Sequence, residues 1–259
     1  NAFQLMPGPA DAVSLLADLN YERGVREWAV VYETGGEEHA RAAAAILEER
    51  GLDVPVLLAV EPAQPAYYRE AQALRDAAVD AVLLALSPAD ELAFMGQVID
   101  QGVEAAMVPL PNPVTQTRDF LGATLARVAL AGPQHRVSIF EATRTPGDTE
   151  FAERYAARYG EPLDPTAYLG YQALSALDQA VEALGGFDPD AIAAYLRHPD
   201  TRLAGPKGAV AFDPASGRLA QPLDIITLSP DARWSNTLEG KLRIAGYHST
   251  SGGGAESAQ

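Results

Sequence analysis

The chain has 259 residues, 47% hydrophobic and 21% charged, which is enough apolar material for one large core or two moderate ones. Acids outnumber bases 35 to 19 for a formal charge of −16, which argues against a nucleic-acid surface or an anionic membrane as partner and fits a soluble or salt-tolerant protein. With no cysteine, thiolate catalysis, Cys-ligated zinc and disulfides are excluded, and that absence is compatible with export.

No apolar run reaches the ~20 residues that span a bilayer, so no direct membrane insertion is expected, and no signal peptide is visible. The chain begins at Asn1 instead of Met, from which we expect a processed or partial chain whose targeting information has been removed.

Phe3 to Pro9 reads as a lead-in segment closed by Pro7-Gly8-Pro9. Asp11 then suits the cap of a helix running to Arg23, with Val13, Leu16, Leu19 and Tyr21 on its inner side and Gly24 as the stop. The stretch from Val25 to Gly51 organises the rest of the chain. Trp28-Ala29-Val30-Val31-Tyr32 is short and apolar enough for a buried strand of a parallel sheet. The run breaks at Glu33-Thr34-Gly35-Gly36 and resumes as an Ala-rich helix from Glu37 to Arg50, with acids in its first turn and Gly51 after its end. A strand at Val54–Val60, a helix over Ala66–Ala78, a strand at Ala81–Leu86, a helix from Ala89 to Gln101 and a short strand at Ala105–Val108 continue the alternation. Short connections between alternating strands and helices predict βαβ units on a parallel sheet, so residues 1–110 read as one doubly wound α/β lobe.

Pro109-Leu110-Pro111-Asn112-Pro113 then breaks the rhythm, because prolines remove donors and fix φ. Helices are expected at Arg118–Leu130, Glu150–Tyr159, Pro165–Leu184 and from Pro189 to about Arg197. Strands are expected at Arg136–Phe140, Gly208–Phe212 and Pro222–Leu228, with a loop at Glu141–Asp148 and a turn at Asp213–Gly217. The Ser-, Gly- and Ala-rich tail from Ser249 onward reads as disordered. No solenoid-type repeat is present.

Three segments then carry a resemblance. Tyr168-Leu169-Gly170-Tyr171-Gln172-Ala173-Leu174 with its helix, Gly185-Gly186-Phe187-Asp188, and Gly205-Pro206-Lys207-Gly208-Ala209-Val210-Ala211-Phe212-Asp213 with Gly217 resemble the C-terminal part of type I periplasmic solute-binding proteins. The nearest branch is the leucine/isoleucine/valine-binding receptors of ABC transporters. Asn1-Ala2-Phe3-Gln4-Leu5 resembles the strand leading into that family's second lobe, and Arg26 to Gly51 its next strand, turn and helix. The resemblance covers the chain to about residue 228. It implies a periplasmic-binding-protein type I-like fold: a Rossmann-like second lobe over 1–110, a crossing segment and helices over 111–200 that would pack on a first lobe, C-terminal strands over 201–248 returning to the second lobe, and the tail 249–259. Family members begin with a first lobe, most of which the resemblance implies is absent from this chain, so we expect either a fragment or a reduced relative whose helices pack differently, and favour the fragment.

The resemblance implies binding without chemistry: an extracytoplasmic, periplasmic protein that captures a small polar or amphipathic ligand between two lobes for ABC permease subunits in the membrane. The alternative is a sensing or regulatory domain of the same fold that reports to a signalling partner. In open α/β sheets ligands bind beyond the carboxyl ends of the strands. That rule points to the turn at Glu33, Thr34 and Gly35, and the resemblance, in which the second lobe contributes side chains from the turns after its strands, implies Ser87 and Pro88, then Pro111 and Asn112, as further ligand-binding residues. Family members that bind amino acids carry an aromatic in the first two turns and an acid in the third. Here Gly35, Ser87 or Pro88, and Pro111 stand at those places, which argues against a standard branched-chain amino acid because a buried ammonium left without its acid costs several kcal/mol. Glu33 is either a substitute acid or a solvated loop residue.

No cofactor, metal or catalytic site is expected. Gly35-Gly36 before a helix invites a phosphate, yet the full dinucleotide and P-loop patterns are missing and Glu37-Glu38 would repel it. His39, His135, His198 and His248 have no metal-ligand spacing, and Ser14, Ser87, Ser138 and Ser175 lie in no G-x-S-x-G elbow. Glu37-Glu38 and Glu48-Glu49 read as solvated helix faces. Tyr67-Tyr68 suits core packing or a cleft rim, and Tyr168 and Tyr171 read as core.

Overall fold

The computed structural model describes residues 2–6, 8–22, 24–110, 136–138, 146–161, 163, 165–205, 208–220, 224–228 and 244–249. It divides into two compact units, one drawn from 1–8 and 140–223, the other from 9–139 and 224–259.

In the larger unit α1 (Pro9–Glu22), β1 (Glu27–Glu33), α2 (Glu37–Glu49), β2 (Asp53–Val60), α3 (Tyr68–Ala77), β3 (Ala81–Ala85), α4 (Pro88–Asp100) and β4 (Ala106–Pro109) come in order. The four strands form one parallel sheet in the order β2-β1-β3-β4. β1 is central, and Trp28 to Tyr32 are buried, because a strand between two neighbours with helices over the sheet has no wet side. β2 lies at the edge, where burial alternates instead along the strand. Side chains alternate across the sheet. Ala29, Val31, Val82, Leu84 and Met107 meet Ala71 and Leu74 of α3 and Phe94, Met95 and Val98 of α4 in one core. α2 packs on β1 and β2 and also touches α1. Pro109, expected to lie in a loop, ends β4: it pairs with Leu84 in register, and because Leu110 N–H is the donor to Leu84 O at 2.9 Å, that rung needs no N–H from the proline.

α1 begins two residues before the expected Asp11 cap, so Asp11 stands in the first turn. Tyr21 is exposed instead of inward, held outside by the Arg26 guanidinium 3.7 Å from its ring centre. α2 stops as expected, with Gly51 at φ +74 after the Arg50 cap. Later in this unit β5 (Arg136–Ser138) pairs antiparallel with a strand that comes after residue 223.

The smaller unit holds α5 (Pro146–Tyr159), α6 (Pro165–Leu184), α7 (Pro189–Leu196), and an antiparallel sheet of β6 (Leu203–Gly205), β7 (Gly208–Phe212) and β8 (Leu219–Ala220). α5 starts four residues before the expected Glu150, with Pro146 at its first position. Asp188 caps α7 by accepting from Asp190 N–H at 3.0 Å. Asp213 closes the turn after β7, accepting from the Ser216 amide and hydroxyl, and those bonds hold its carboxyl below the usual carboxylate range. Ala176, Ala180, Leu196, Leu203, Val210, Phe212 and Leu219 form this unit's core, and Phe3 meets Phe212 edge-on at 4.9 Å. Residues 2–6 therefore belong here: Gln4 bridges to Arg218, taking Gly217 O with its N–H and giving its own carbonyl to Leu219 N–H. On α6 the i,i+4 row Tyr168, Gln172, Ala176 and Ala180 faces the core, which leaves Tyr171, a quarter-turn away, 44% exposed instead of buried.

Along the free side of β6 the Gln179 amide takes Ala204 N–H at 2.7 Å and donates to Ala204 O at 3.0 Å. The larger unit is completed by β9 (Asp224–Leu228) and β10 (Ile244–Ser249), antiparallel neighbours in the order β10-β9-β5. β6, β8 and β10 were not expected from sequence. The helix expected at Arg118–Leu130 and the tail beyond Ser249 lie outside the described residues.

Candidate functional site

From β1 the chain steps outward to β2, then returns past β1 to β3 and on to β4. The direction of progression therefore reverses between β1 and β3, and the turns beyond their carboxyl ends diverge to leave a crevice. Glu33, the last residue of β1, and Ser87, just past β3, meet there: Ser87 N–H donates to Glu33 Oε1 at 2.5 Å. Thr34 and Gly35 form the turn above, where Gly36 N–H closes onto Glu33 O at 2.8 Å and Gly35 sits at φ +97. A Cβ on Gly35 would meet nothing within 4 Å, so the turn needs glycine for its backbone and leaves space over it. Pro88 occupies the first position of α4, after Ser87 as its N-cap. Five of the seven expected residues are thus brought to one end of one sheet; Pro111 and Asn112 lie outside the described residues.

The turns are stitched together by acids. Thr34 Oγ1 donates to Glu61 Oε1 at 2.9 Å, and Thr34 N–H to Val60 O at 2.8 Å, tying the β1 turn to the end of β2. Asp90, in the first turn of α4, accepts from Ala63 N–H at 3.0 Å and Ser87 Oγ at 3.0 Å, with Tyr67 OH at 3.5 Å. Gln97 accepts from Tyr67 N–H at 3.1 Å. Tyr67 is fully buried against Phe94, and burial, then the charge of Asp90, pushes its phenol up to about 12. Tyr68 beside it is 68% exposed, so the pair divides between core and surface.

Glu91 differs from its neighbours. It is 0% exposed on the inward arc of α4 with Phe94, Met95 and Val98, and neither carboxylate oxygen has a hydrogen-bond partner. Burial alone drives its carboxyl up to about 8.

The sequence reading missed Asp90, Glu61 and Glu91; it singled out Tyr67 but not its contact with Asp90. Ser87-x-x-Asp90 ahead of an apolar run is a helix-start signature that would have led to Asp90. Glu91 is legible only from helical phase, three, four and seven residues before Phe94, Met95 and Val98. Among the described residues, no group of three or more His, Asp or Glu could hold a metal ion, and no helix is long and apolar enough to cross a membrane. His39 and His198 are exposed; the side chains of His135 and His248 lie outside the described set.

Residues 1–233 match the sequence model of a family described as periplasmic binding protein. No curated protein sequence matches the chain. Among solved structures, an ABC transporter substrate-binding protein from Sphaerobacter thermophilus is similar, with a TM-score of 0.71 and 20% identity over 88% of this chain. A leucine-, isoleucine-, valine-, threonine- and alanine-binding protein from Brucella ovis has a TM-score of 0.74 and 18% identity over 91%. A solute-binding protein of an ABC transporter from R. palustris, solved with 4-hydroxybenzoate, has a TM-score of 0.70 and 18% identity over 90%. The chain spans 62% of the length of each.

Proposed function

Since the chain belongs to the periplasmic binding protein family, we propose that it is the ligand-capturing part of an extracytoplasmic receptor that delivers a small solute to an ABC-type permease. It acts as a binding protein, not an enzyme. A ligand gripped by two lobes touches both only when they close, so its binding energy selects the closed form that the permease recognises.

We further propose that Glu33 is the acceptor for the ligand's hydrogen-bond-donating end, an ammonium or amide group. The observation that carries this is the place of Glu33 at the crevice between β1 and β3, with its carboxylate oriented by Ser87 N–H. Glu33, Glu61, Glu70 and Asp90, described around that crevice, are all acids, and no basic residue among those described forms an ion pair with them. Such a field favours a donor or cation and opposes an aromatic carboxylate of the kind bound by the R. palustris protein. The missing third-turn acid favours a polar amide or small amine over a standard branched-chain amino acid. Thr34, Gly35, Ser87 and Pro88, with Pro111 and Asn112, complete the proposed contact set.

Calorimetric titration of the full-length protein with glutamine, leucine, acetamide, urea, benzoate and 4-hydroxybenzoate tests this. Binding by the ammonium or amide compounds, weakened about tenfold to a hundredfold by Glu33→Gln, is the expected result. Preferred binding of benzoates, or an unchanged affinity in Glu33→Gln, would overturn the assignment.

A further inference from the structure

We propose that Asp90 is the positioning residue of the crevice, the side chain that holds the turns beyond β1, β2 and β3 in the arrangement a ligand meets. The inference rests on the reading of that crevice as the ligand site. One buried carboxylate serves two turns directly and a third at one remove. Both of its oxygens accept Ala63 N–H, at 3.1 and 3.0 Å, which fastens the β2–α3 turn. Oδ2 also accepts the Ser87 hydroxyl at 3.0 Å, which fastens the β3–α4 turn, and Ser87 N–H in turn reaches Glu33 at the end of β1.

Two further observations set this apart from an ordinary acid at a helix start. Ala63 is a non-glycine residue at φ +56, a left-handed conformation that alanine holds only when its surroundings impose it. The Asp90 carboxylate is bonded to that strained residue. Moreover, Asp90 is only 8% exposed, and Tyr67 OH leans on its Oδ1 at 3.5 Å, so the carboxylate has its partners inside the protein instead of in water. A role confined to the α4 dipole would be felt within the first turn of that helix. The contacts with Ala63 lie 27 residues away in sequence.

The test compares hydrogen exchange and tyrosine titration in wild type, Asp90→Asn and Asp90→Ala. In Asp90→Ala, exchange at the Ala63 and Ser87 amides should quicken about tenfold or more, while Val30 and Leu83 in the central strands stay within about twofold. Asp90→Asn, which keeps one acceptor oxygen, should fall between. The Tyr67 phenol, followed by ultraviolet absorbance, should titrate below its wild-type value in both variants as the neighbouring charge is removed. Unchanged exchange at Ala63 and Ser87 overturns the proposal, as does equal quickening at Val30 and Leu83, which would mean general destabilisation. If Asp90→Ala does not fold, the Ala63 exchange and Tyr67 titration of Asp90→Asn decide. Wild type that binds none of the titrated solutes would sink the ligand reading alone, because the exchange measurement needs no ligand.

Discussion

Replacing Glu91 with Gln should make the protein more stable at neutral pH, and the gain should vanish in acid. The carboxyl titrates at 4.5 when unfolded and at about 8 in the native state. Between those values the folded protein holds one proton more than the unfolded chain, so stability is fully present below 4.5 and falls by about 1.4 kcal/mol per pH unit up to about 8. At pH 7 the loss amounts to about 3 kcal/mol, a sizeable part of the ~5–15 kcal/mol that holds a domain together. Glutamine keeps the shape and the same unpartnered polar burial but has no charge to desolvate. Urea unfolding at pH 5, 6, 7 and 8 reads the difference, with Trp234 replaced by Phe so that Trp28 in β1 is the single fluorescent indole. Wild type and Glu91→Gln should differ by less than about 1 kcal/mol at pH 5 and by about 3 kcal/mol at pH 7. Parallel stability curves across this range would refute the view that Glu91 titrates in a dry site.

Three further outcomes rest on backbone geometry and caps. Ala78, the left-handed cap of α3 at φ +51, should gain about 0.5–1 kcal/mol on replacement by Gly, measured as a raised urea midpoint with unchanged slope. Gly217→Ala should cost more than about 2 kcal/mol, since a Cβ would stand 2.7 Å from Ala2 O at φ +69; a melting temperature equal to wild type would count against the packing of residues 2–6 on β8. Asp188→Ala should cost about 1 kcal/mol through loss of the α7 cap, with Asp188→Asn retaining most of it in the same thermal melt.

Much of the larger unit was legible because its signals are local and agree. Trp28 to Tyr32 reads as a buried strand at any register, and the Ala-rich run after Gly35-Gly36 has one helical reading. The crevice was legible for a topological reason, since Glu33 and Ser87 each come after a strand whatever its neighbours are. Their direct contact was not, because it depends on β1 and β3 being adjacent across 54 residues of chain. Short elements escaped for the same reason: β6 and β8 are three and two residues long and exist only through pairing with β7. Tyr171 and Tyr21 were misplaced because an aromatic residue on a helix says nothing of the azimuth it occupies until the buried row is known.

The two outer flanks of the β6-β7-β8 sheet are both occupied, one by the Gln179 amide at Ala204 and the other by Gln4 at β8. An unguarded strand flank is a template on which foreign chains grow into aggregates. Gln179 supplies one donor and one acceptor in the spacing of a peptide group, so it imitates the next strand without offering a further ladder. Loss of that single amide would convert a sealed border into a sticky one, and the harm would register as reduced solubility at high concentration.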